Sequence, residues 1–440
     1  MLKKLFELIP KGPSQKLGRD IAYTLGSFFV LAVSGIIINI VITGTRDAAA
    51  LGVFNQAYAI YIVASQFAVM GIHYSVLRHT PSATEESNDR GAILGTACGV
   101  TLVLGVISAA IIYVLSDNIG QLFESERVGL ATSFAAFGLI IFPLNKVLLA
   151  YLNGLRHMRA FAILQAMRYV LVMIVVAAVA FSDVPIAYAA ISFGVAELLT
   201  STSAFVYIVS AGLAKRIRFE MIWARRHSKF GVKGLFAGMF AEFNSRVDVL
   251  VIGFLLEDRA VGIYSFAAML VDGLYHVLAM IRINFNPLLT VASDTNDWST
   301  PISLQSKTRK YLVPVMAVLA GVVVAVYLGI DAWIVPDKGL AEGLPTLLIL
   351  LTGLIMVSPL IPFDNLLMVV GHPGYQTAQQ LCTVSANIIF ALLLLPVFGI
   401  AGAALGTVSS YFANVTALIL FSRKLVAWDI LNNRIKHKKA

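Results

Sequence analysis

Residues 21–42 read IAYTLGSFFVLAVSGIIINIVI and contain no charged side chain. In an α-helix this stretch would be about 33 Å long, and the hydrocarbon core of a bilayer is about 30 Å thick. Charged residues stand at both ends, with Arg19 and Asp20 before the stretch and Arg46 and Asp47 after it. The stretch therefore predicts a transmembrane helix with polar residues at its two ends.

The rest of the chain repeats this pattern. It is 58% hydrophobic and 13% charged, with a mean hydropathy of +0.83, whereas soluble proteins carry about 25% charged residues. The sequence predicts an all-α polytopic membrane protein with twelve transmembrane helices. Their approximate limits are 20–43, 49–75, 91–116, 128–151, 159–182, 185–210, 233–256, 260–291, 311–330, 343–370, 375–396 and 399–422.

The lysines and arginines predict the orientation of these helices. With the N-terminus placed in the cytoplasm, 25 of the 33 basic residues fall in cytoplasmic segments, 4 in outside loops and 4 within spans. This bias follows the positive-inside rule, so both termini are predicted to be cytoplasmic. The net charge of +9 is explained by topology, and we expect the basic segments to contact anionic lipid headgroups and not nucleic acid.

The two halves of the chain resemble each other. Leu51-Gly52-Val53-Phe54 opens the second span, and Val261-Gly262-Ile263-Tyr264 opens the eighth span 210 residues later. Because six spans is an even number, both halves insert in the same direction and form a parallel repeat. The predicted organisation is a cytoplasmic N-terminal interfacial segment (1–19), a six-helix lobe (20–211), a cytoplasmic basic linker (212–232), a second six-helix lobe (233–423) and a cytoplasmic basic tail (424–440).

Nine charged side chains lie inside the predicted spans, where a charge costs about 2.5–3.5 kcal/mol on insertion scales. They are Lys146, Arg168, Glu197, Glu242, Arg246, Asp248, Asp272, Arg282 and Asp364. Such residues normally face a polar cavity or one another, which here predicts a cavity between the halves. Arginine suits a phosphate ligand because its planar guanidinium donates to two oxygens in parallel. The candidate substrate-binding residues are Arg246 and Arg282, followed by Lys146, Arg168, Tyr275, Asn286, Gln66 and His73.

Buried carboxylates are candidates for coupling transport to a proton or cation gradient, since desolvation favours their protonated form. Asp272, Glu242 and Asp248 are the leading candidates. Two structural alternatives stay open. Glu242 and Arg246 are four residues apart and can pair across one helical turn. Three side chains near the predicted cytoplasmic ends can extend to water instead of lining a cavity; these are Arg78, Lys146 and Asp364.

Several function classes are disfavoured by what the sequence lacks. It contains no Walker motif, HExxH, GxSxG or Cys/His cluster, so we expect no ATP hydrolysis, no metal site, no cofactor and no enzymatic activity. The short outside loops disfavour a glycosyltransferase or polymerase with an external catalytic domain. A membrane scaffold without transport activity would leave the nine intramembrane charges without a role.

Two motifs resemble those of a known family. The run Arg246-Val247-Asp248-Val249-Leu250-Val251-Ile252-Gly253, followed by Val261-Gly262-Ile263-Tyr264-Ser265, resembles the start of the second half in polysaccharide exporters of the O-antigen flippase type. Pro396-Val397-Phe398-Gly399-Ile400-Ala401-Gly402-Ala403-Ala404 is similar to the turn between their last two spans. These proteins belong to the wider superfamily of multidrug, oligosaccharidyl-lipid and polysaccharide (MOP) exporters, and the resemblance covers nearly the whole chain.

This resemblance implies a fold and a function. The two lobes would form a MATE-like, MOP-type fold and would rock between inward-open and outward-open states. The substrate would be an undecaprenyl-pyrophosphate-linked sugar unit of O-antigen, lipopolysaccharide or a related polysaccharide, moved across the inner membrane with an ion gradient as the drive. Candidate partners are this polyprenyl-pyrophosphate glycan, the bilayer, a polysaccharide polymerase and chain-length components. The alternative is a cation-coupled multidrug exporter of the same fold.

Overall fold

The computed structural model describes residues 15–81, 89–426 and 428–435, which are almost entirely helical. The predicted interfacial segment 1–19 lies largely outside these residues. Up to residue 255 the helices are α1 (Gln15–Thr45), α2 (Ala48–Val69), α3 (Ile72–His79), α4 (Asp89–Leu122), α5 (Glu126–Gly154), α6 (Met158–Ala180), α7 (Ile191–Ser210), α8 (Met221–Asn244) and α9 (Val247–Leu255). A 3-10 turn, Ile186–Ala190, leads into α7.

The later part of the chain follows the same pattern and ends in a small hairpin. Its helices are α10 (Asp258–Thr295), α11 (Ser299–Lys307), α12 (Val313–Gly329), α13 (Leu344–Val357), α14 (Leu366–Val369), α15 (Pro373–Phe398) and α16 (Ile400–Leu425). Short π turns, Thr308–Leu312 and Ile330–Ile334, and 3-10 turns, Leu340–Gly343 and Ile361–Phe363, connect or extend them. The antiparallel strands are β1 (Trp428–Asp429) and β2 (Arg434–Ile435).

Eleven helical stretches among the described residues are long and apolar enough to cross a membrane, so the predicted all-α membrane fold is confirmed. The predicted seventh span, 233–256, is not one continuous helix. It is interrupted at Ser245-Arg246, which separates α8 from α9. The Ser245 hydroxyl donates to the Glu242 carbonyl at 2.8 Å, and such local side-chain bonds compete with the helical backbone pattern.

The predicted tenth span, 343–370, is also discontinuous. Helix α13 ends at Val357, and a turn precedes the short helix α14. Pro359 and Pro362 lie in this turn. Proline lacks an amide donor and clashes with the preceding helical turn, which explains why the helix stops here.

The chain forms two compact units, one extending to Gly262 and the other beginning at Ile263. We refer to them as the first unit and the second unit. The assignment of residues 233–262 to a second six-helix lobe remains a prediction from the sequence repeat. Within the first unit, helix α8 packs against α2 and α3, and helix α9 packs against α2.

Two glycines allow a close helix crossing inside the first unit. A methyl group at Gly52 of α2 would overlap the carbonyl oxygen of Asp258, and one at Gly262 of α10 would overlap the carbonyl oxygen of Ala48. Each contact is the counterpart of the other, since Ala48 and Gly52 lie 210 residues before Asp258 and Gly262. Equivalent positions of the sequence repeat therefore meet in two matching backbone contacts. Each contact is close enough to require a glycine.

The predicted basic linker is packed on the first unit and is not a free connection. We call residues 213–231 the basic strap. The Tyr151 hydroxyl donates to the Leu213 carbonyl at 2.7 Å, and the Glu220 amide donates to the Thr96 hydroxyl at 2.9 Å. His227 is fully buried. The strap is thus held by backbone and buried side-chain contacts along α3, α4 and α5.

Within the predicted basic tail, 424–440, the described residues include the small terminal hairpin. Trp428 of the terminal hairpin is 0% exposed and its ring contacts Trp298 and Phe363. The Gln305 side chain donates to the Ile430 carbonyl at 3.0 Å. Because these partners come from α11 and from the turn before α14, the hairpin completes a hydrophobic core at this end of the second unit.

Candidate functional site

Arg168 is bonded to a buried carboxylate in the first unit. Its Nε lies 2.6 Å from Glu197 Oε1, and Glu197 is only 1% exposed. Asn145 donates to Oε2 of the same carboxylate, and the Tyr61 hydroxyl lies 3.4 Å from Oε1. We call Tyr61, Asn145, Arg168 and Glu197 the first-unit arginine cluster. Arg168 lies on α6, whereas Tyr61, Asn145 and Glu197 lie on α2, α5 and α7. Three neighbouring helices therefore supply the groups that hold this arginine in place.

Aromatic rings surround this cluster. The Phe142 centroid lies 5.4 Å from Lys146 Nζ and 5.6 Å from the Arg168 guanidinium carbon. The same ring therefore contacts both cations. The Arg246 guanidinium carbon lies 4.7 Å from the centroid of Tyr58. Each such contact contributes about 0.5–2 kcal/mol, depending on how far the cation is desolvated. Lys146, Arg168 and Arg246 are thus all held beside aromatic faces.

Arg282 is bonded to a buried carboxylate in the second unit. Its Nη1 lies 3.0 Å from Asp364 Oδ2, and Asp364 is 3% exposed. The other carboxylate oxygen, Oδ1, accepts from Gln379 Nε2 and Asn414 Nδ2, both at 2.8 Å. We call Arg282, Asp364, Gln379 and Asn414 the second-unit arginine cluster. The alternative that Asp364 extends to water is wrong, because its carboxylate is enclosed and fully bonded.

The two clusters share one chemical plan. In each, one carboxylate oxygen accepts from an arginine and the other accepts from a carboxamide. The helices that supply these groups do not correspond in the repeat, since Arg168 lies on α6 and Arg282 on α10. A buried carboxylate with these partners restricts the rotamers of its arginine and so fixes the direction of the guanidinium donors.

Each arginine retains donors outside its ion pair. Arg168 uses Nε for Glu197, which leaves its two Nη nitrogens outside the pair. Arg282 uses Nη1 for Asp364, and its buried Nε has no hydrogen-bond partner among the described residues. Asn286 lies one turn further along α10, and its Oδ1 is also buried without a partner there. These unused polar atoms are groups that a polar ligand would satisfy.

The other predicted substrate residues lie in both units. Tyr275 lies on α10 within electrostatic range of Arg282, so the structure brings these two together. Gln66 lies near the end of α2, where its amide contacts the Ser65 hydroxyl at 3.4 Å. His73 lies on α3 with its ring against Tyr74. Lys146 lies within electrostatic range of Arg168, Glu197 and Glu242.

The predicted ion-coupling carboxylates occupy different environments. Asp272 is exposed on α10. Asp248 lies in the first turn of α9, where it accepts from the Val249 amide at 2.9 Å and its charge is favoured by the helix dipole. Glu242 is partly buried near the end of α8. Since the helix stops between Glu242 and Arg246, the expected spacing across one helical turn does not apply to this pair.

Sequence reasoning missed the carboxamides that complete the two clusters, namely Asn145, Gln379 and Asn414. It also treated Arg168 and Arg282 as ligands for substrate without assigning Glu197 and Asp364 to them. A signal was available, because Asn and Gln are costly in apolar helices unless they are hydrogen-bonded. Their partners could not be read from spacing, since Gln379 lies 97 residues after Arg282.

A family model described as "Polysaccharide biosynthesis protein" matches residues 47–329, well over half of the chain. The chain belongs to the polysaccharide biosynthesis protein family. The matched range contains Lys146, Arg168, Glu197, Arg246 and Arg282. It ends before Asp364, so the carboxylate that holds Arg282 lies outside the matched part.

Solved structures show that this polysaccharide biosynthesis protein has the two-lobe fold of the MOP superfamily. The lipid II flippase MurJ in an inward-closed conformation aligns with a TM-score of 0.74 at 15% identity, covering 94% of this chain and 90% of that one. An inward-facing MATE multidrug transporter aligns with a TM-score of 0.69 at 15% identity over 93% and 96% of the two chains. At these identities the likeness establishes the fold.

Two further comparisons concern another solved structure and a relative found by sequence. A MOP-superfamily transporter from Pyrococcus furiosus aligns with a TM-score of 0.61 at 13% identity over 95% of this chain and 97% of that one. An uncharacterized membrane protein of Methanocaldococcus jannaschii is 40% identical over 70 residues, which is 16% of this chain and 14% of that relative. The named structural neighbours are described as transporters or flippases, in line with the expectation that this chain is not an enzyme.

Proposed function

We propose that this protein is a flippase for lipid-linked oligosaccharides. Its substrate would be an O-antigen or related repeat unit carried on undecaprenyl pyrophosphate, moved from the cytoplasmic to the outer leaflet of the inner membrane. Membership of the polysaccharide biosynthesis protein family supports the glycan class. The likeness to the fold of a lipid II flippase supports a lipid-linked substrate.

The observation that carries this proposal is the pair of arginine clusters. Arg168 and Arg282 are each oriented by a buried carboxylate and each keep donor groups outside that ion pair. A pyrophosphate offers several anionic oxygens, and an oriented guanidinium can bind two of them in parallel. Lys146 and Arg246 would add positive charge in the first unit. Tyr275, Asn286, Gln66 and His73 remain candidate contacts to the polar head.

The lipid tail would stay in the bilayer while the polar head crosses, which lowers the desolvation cost of transport. The excess of basic residues in the predicted cytoplasmic segments supports cytoplasmic termini. Asp272, Glu242 and Asp248 remain the proposed coupling residues for a proton or cation gradient. A polysaccharide polymerase and chain-length components are proposed as partners at the outer leaflet.

Complementation of a deletion strain tests the proposal. Loss of the protein should abolish surface polysaccharide and cause lipid-linked repeat units to accumulate on the cytoplasmic leaflet. Arg168→Gln and Arg282→Gln should each fail to restore export when expression is adjusted to the wild-type protein level. Lys307→Gln, which removes an exposed charge outside both clusters, is the matched control and should restore it. Normal export by both arginine variants would refute the phosphate assignment.

The second candidate is a cation-coupled multidrug exporter. It is favoured by the aromatic cluster of Tyr58, Tyr61 and Phe193, in which the Tyr61 and Phe193 rings stack at 4.8 Å. Organic cations bind aromatic faces and carboxylates. A deletion strain with normal polysaccharide and new sensitivity to cationic drugs would favour this function over the flippase.

A further inference from the structure

The outer surface of the basic strap combines exposed bases with exposed apolar side chains. The bases are Lys215, Arg216, Arg218, Arg225, Arg226 and Lys229, all exposed. The apolar side chains between them are Ile217, Phe219, Met221 and Ile222, which are 39–60% exposed. Such a mixture is uncommon on a surface that faces only water, and it is typical of segments that lie in the headgroup region of a membrane.

The strap is held on the first unit by backbone groups and by the side chains of Ile217 and Phe219, which lie against Gly95 and Gly99 of α4. The backbone groups fit a row of small residues on α4. A methyl group at Gly91 would overlap the Lys215 carbonyl oxygen, and one at Gly95 would stand 2.6 Å from the Arg218 carbonyl oxygen. Gly91 and Gly95 of α4 therefore leave the space that the strap backbone occupies. Trp223 and His227 are the side chains that turn inward.

The strap bases differ in how far they are engaged by the protein. Arg218 pairs with Glu220 at 2.6 Å, and the Arg226 guanidinium lies 4.9 Å from the centre of the Trp223 ring. Lys215 and Arg216 are exposed beside Ile217. Their positive charge and the neighbouring apolar side chains are complementary to an anionic headgroup and its upper acyl chain, respectively.

We propose that the basic strap binds anionic phospholipids of the cytoplasmic leaflet and that this binding holds the strap at the membrane surface. Residues 221–231 of the strap form the first part of α8, which ends at Asn244, two residues before Arg246. Bound lipid would therefore fix the start of the helix that leads to this arginine. The inference depends on the predicted cytoplasmic position of the strap and not on the flippase activity.

Binding of phosphatidylglycerol to the purified full-length protein in detergent, followed by native mass spectrometry, tests the inference. Each base near an anionic lipid surface contributes about fivefold in affinity. The Lys215→Gln/Arg216→Gln variant should therefore bind phosphatidylglycerol about 25-fold more weakly than wild type. Binding of zwitterionic phosphatidylcholine should be unchanged. Met221→Ser/Ile222→Ser should weaken retention of both lipids, because it removes exposed apolar side chains.

The matched control is Lys307→Gln/Lys310→Gln, which removes two exposed charges from another predicted cytoplasmic segment. It should bind phosphatidylglycerol as wild type does. Equal affinity of wild type and the strap variant would overturn the proposal, and so would an equal loss in the control. If the strap variant does not fold, salt titration of wild type decides. Phosphatidylglycerol binding that does not weaken with salt contradicts an electrostatic site.

Discussion

Arg168 and Glu197 form an ion pair that is almost completely removed from solvent. The distance from Arg168 Nε to Glu197 Oε1 is 2.6 Å, and the side chains are 13% and 1% exposed. The second carboxylate oxygen accepts from Asn145. Removing either charge would leave the other one buried without its partner, which is more costly than removing both.

Glu197→Ala is therefore expected to destabilise the protein by about 3–5 kcal/mol, because it leaves the Arg168 charge without its partner in an apolar environment. The double variant Arg168→Met/Glu197→Leu should recover most of this loss. Melting temperatures of the purified variants measure both effects. A double variant that is folded but inactive in glycan export would separate the role of Arg168 in transport from its role in stability. Normal export by that variant would contradict the first role.

Asp364→Asn is expected to reduce export at least about tenfold, since one lost hydrogen bond to a charged group is worth about 1.5–3 kcal/mol. The new amide group also faces the donors of Gln379 or Asn414. Export per molecule of protein, measured by complementation and immunoblotting, gives the effect. Asp297→Asn removes an exposed carboxylate and is the control. If both variants export equally well, Asp364 does not position Arg282.

His227 should make the docking of the basic strap sensitive to acid. Burial lowers the pKa of His227 from 6.5 to about 4, so the folded state binds this proton less readily than the unfolded state. The contribution to stability is present above pH 6.5 and is lost as the pH falls towards 4. It amounts to about 3 kcal/mol.

Hydrogen exchange of residues in the strap, measured between pH 7 and pH 4.5 and corrected for the intrinsic rate, tests this expectation. Protection should fall with pH in wild type and should fall less in His227→Gln. His157, which contacts Tyr207 of α7, provides the comparison through His157→Gln, which should keep the wild-type profile. A wild-type profile in His227→Gln would show that another group is responsible.

Gly52→Ala and Gly262→Ala should each disturb the crossing of α2 and α10, because a methyl group would meet backbone atoms that cannot rotate away. Overpacking of this kind costs about 1–3 kcal/mol or more. Gly273→Ala, on the same helix with open space around it, should be neutral or slightly stabilising. Melting temperatures give the ranking. Equal melting temperatures for all three variants would mean that the crossing contributes nothing to stability.

Trp428→Ala should destabilise the second unit by about 3–5 kcal/mol, the usual cost of removing a large buried side chain. Trp428→Phe should retain part of the ring contacts with Trp298 and Phe363. Leu431→Ala, which alters an exposed side chain of the same hairpin, should have a small effect. Thermal unfolding followed by tryptophan fluorescence compares the three. A small effect of Trp428→Ala would mean that the hairpin is not part of the core.

Hydrophobic runs predicted the membrane helices well because their length and composition are local properties. The interruption at Ser245-Arg246 was not predictable from hydropathy, since residues 247–256 continue the apolar run. The packing of the basic strap was also missed. Its charges suggested a soluble connection, whereas its docking depends on backbone contacts with Gly91 and Gly95, which composition does not reveal.

The sequence indicated nine intramembrane charges as candidate functional residues, but it did not show which of them pair with one another. Helical spacing suggested Glu242 and Arg246 as a pair, and the helix ends between them. The ion pairs that form within each unit, Arg168 with Glu197 and Arg282 with Asp364, join residues 29 and 82 positions apart. Such pairs depend on which helices become neighbours, and a single sequence carries no direct information about that.

The reciprocal contact of Gly52 and Gly262 has a bearing on the origin of the chain. In a homodimer with two-fold symmetry, residue i of one subunit meets residue j of the other, and j meets i in return. Ala48 with Gly262 and Gly52 with Asp258 satisfy this rule within a single polypeptide. A six-helix ancestor that dimerised through one glycine would, after gene duplication and fusion, inherit the contact in this form. Each copy would then be unable to lose its glycine independently of the other.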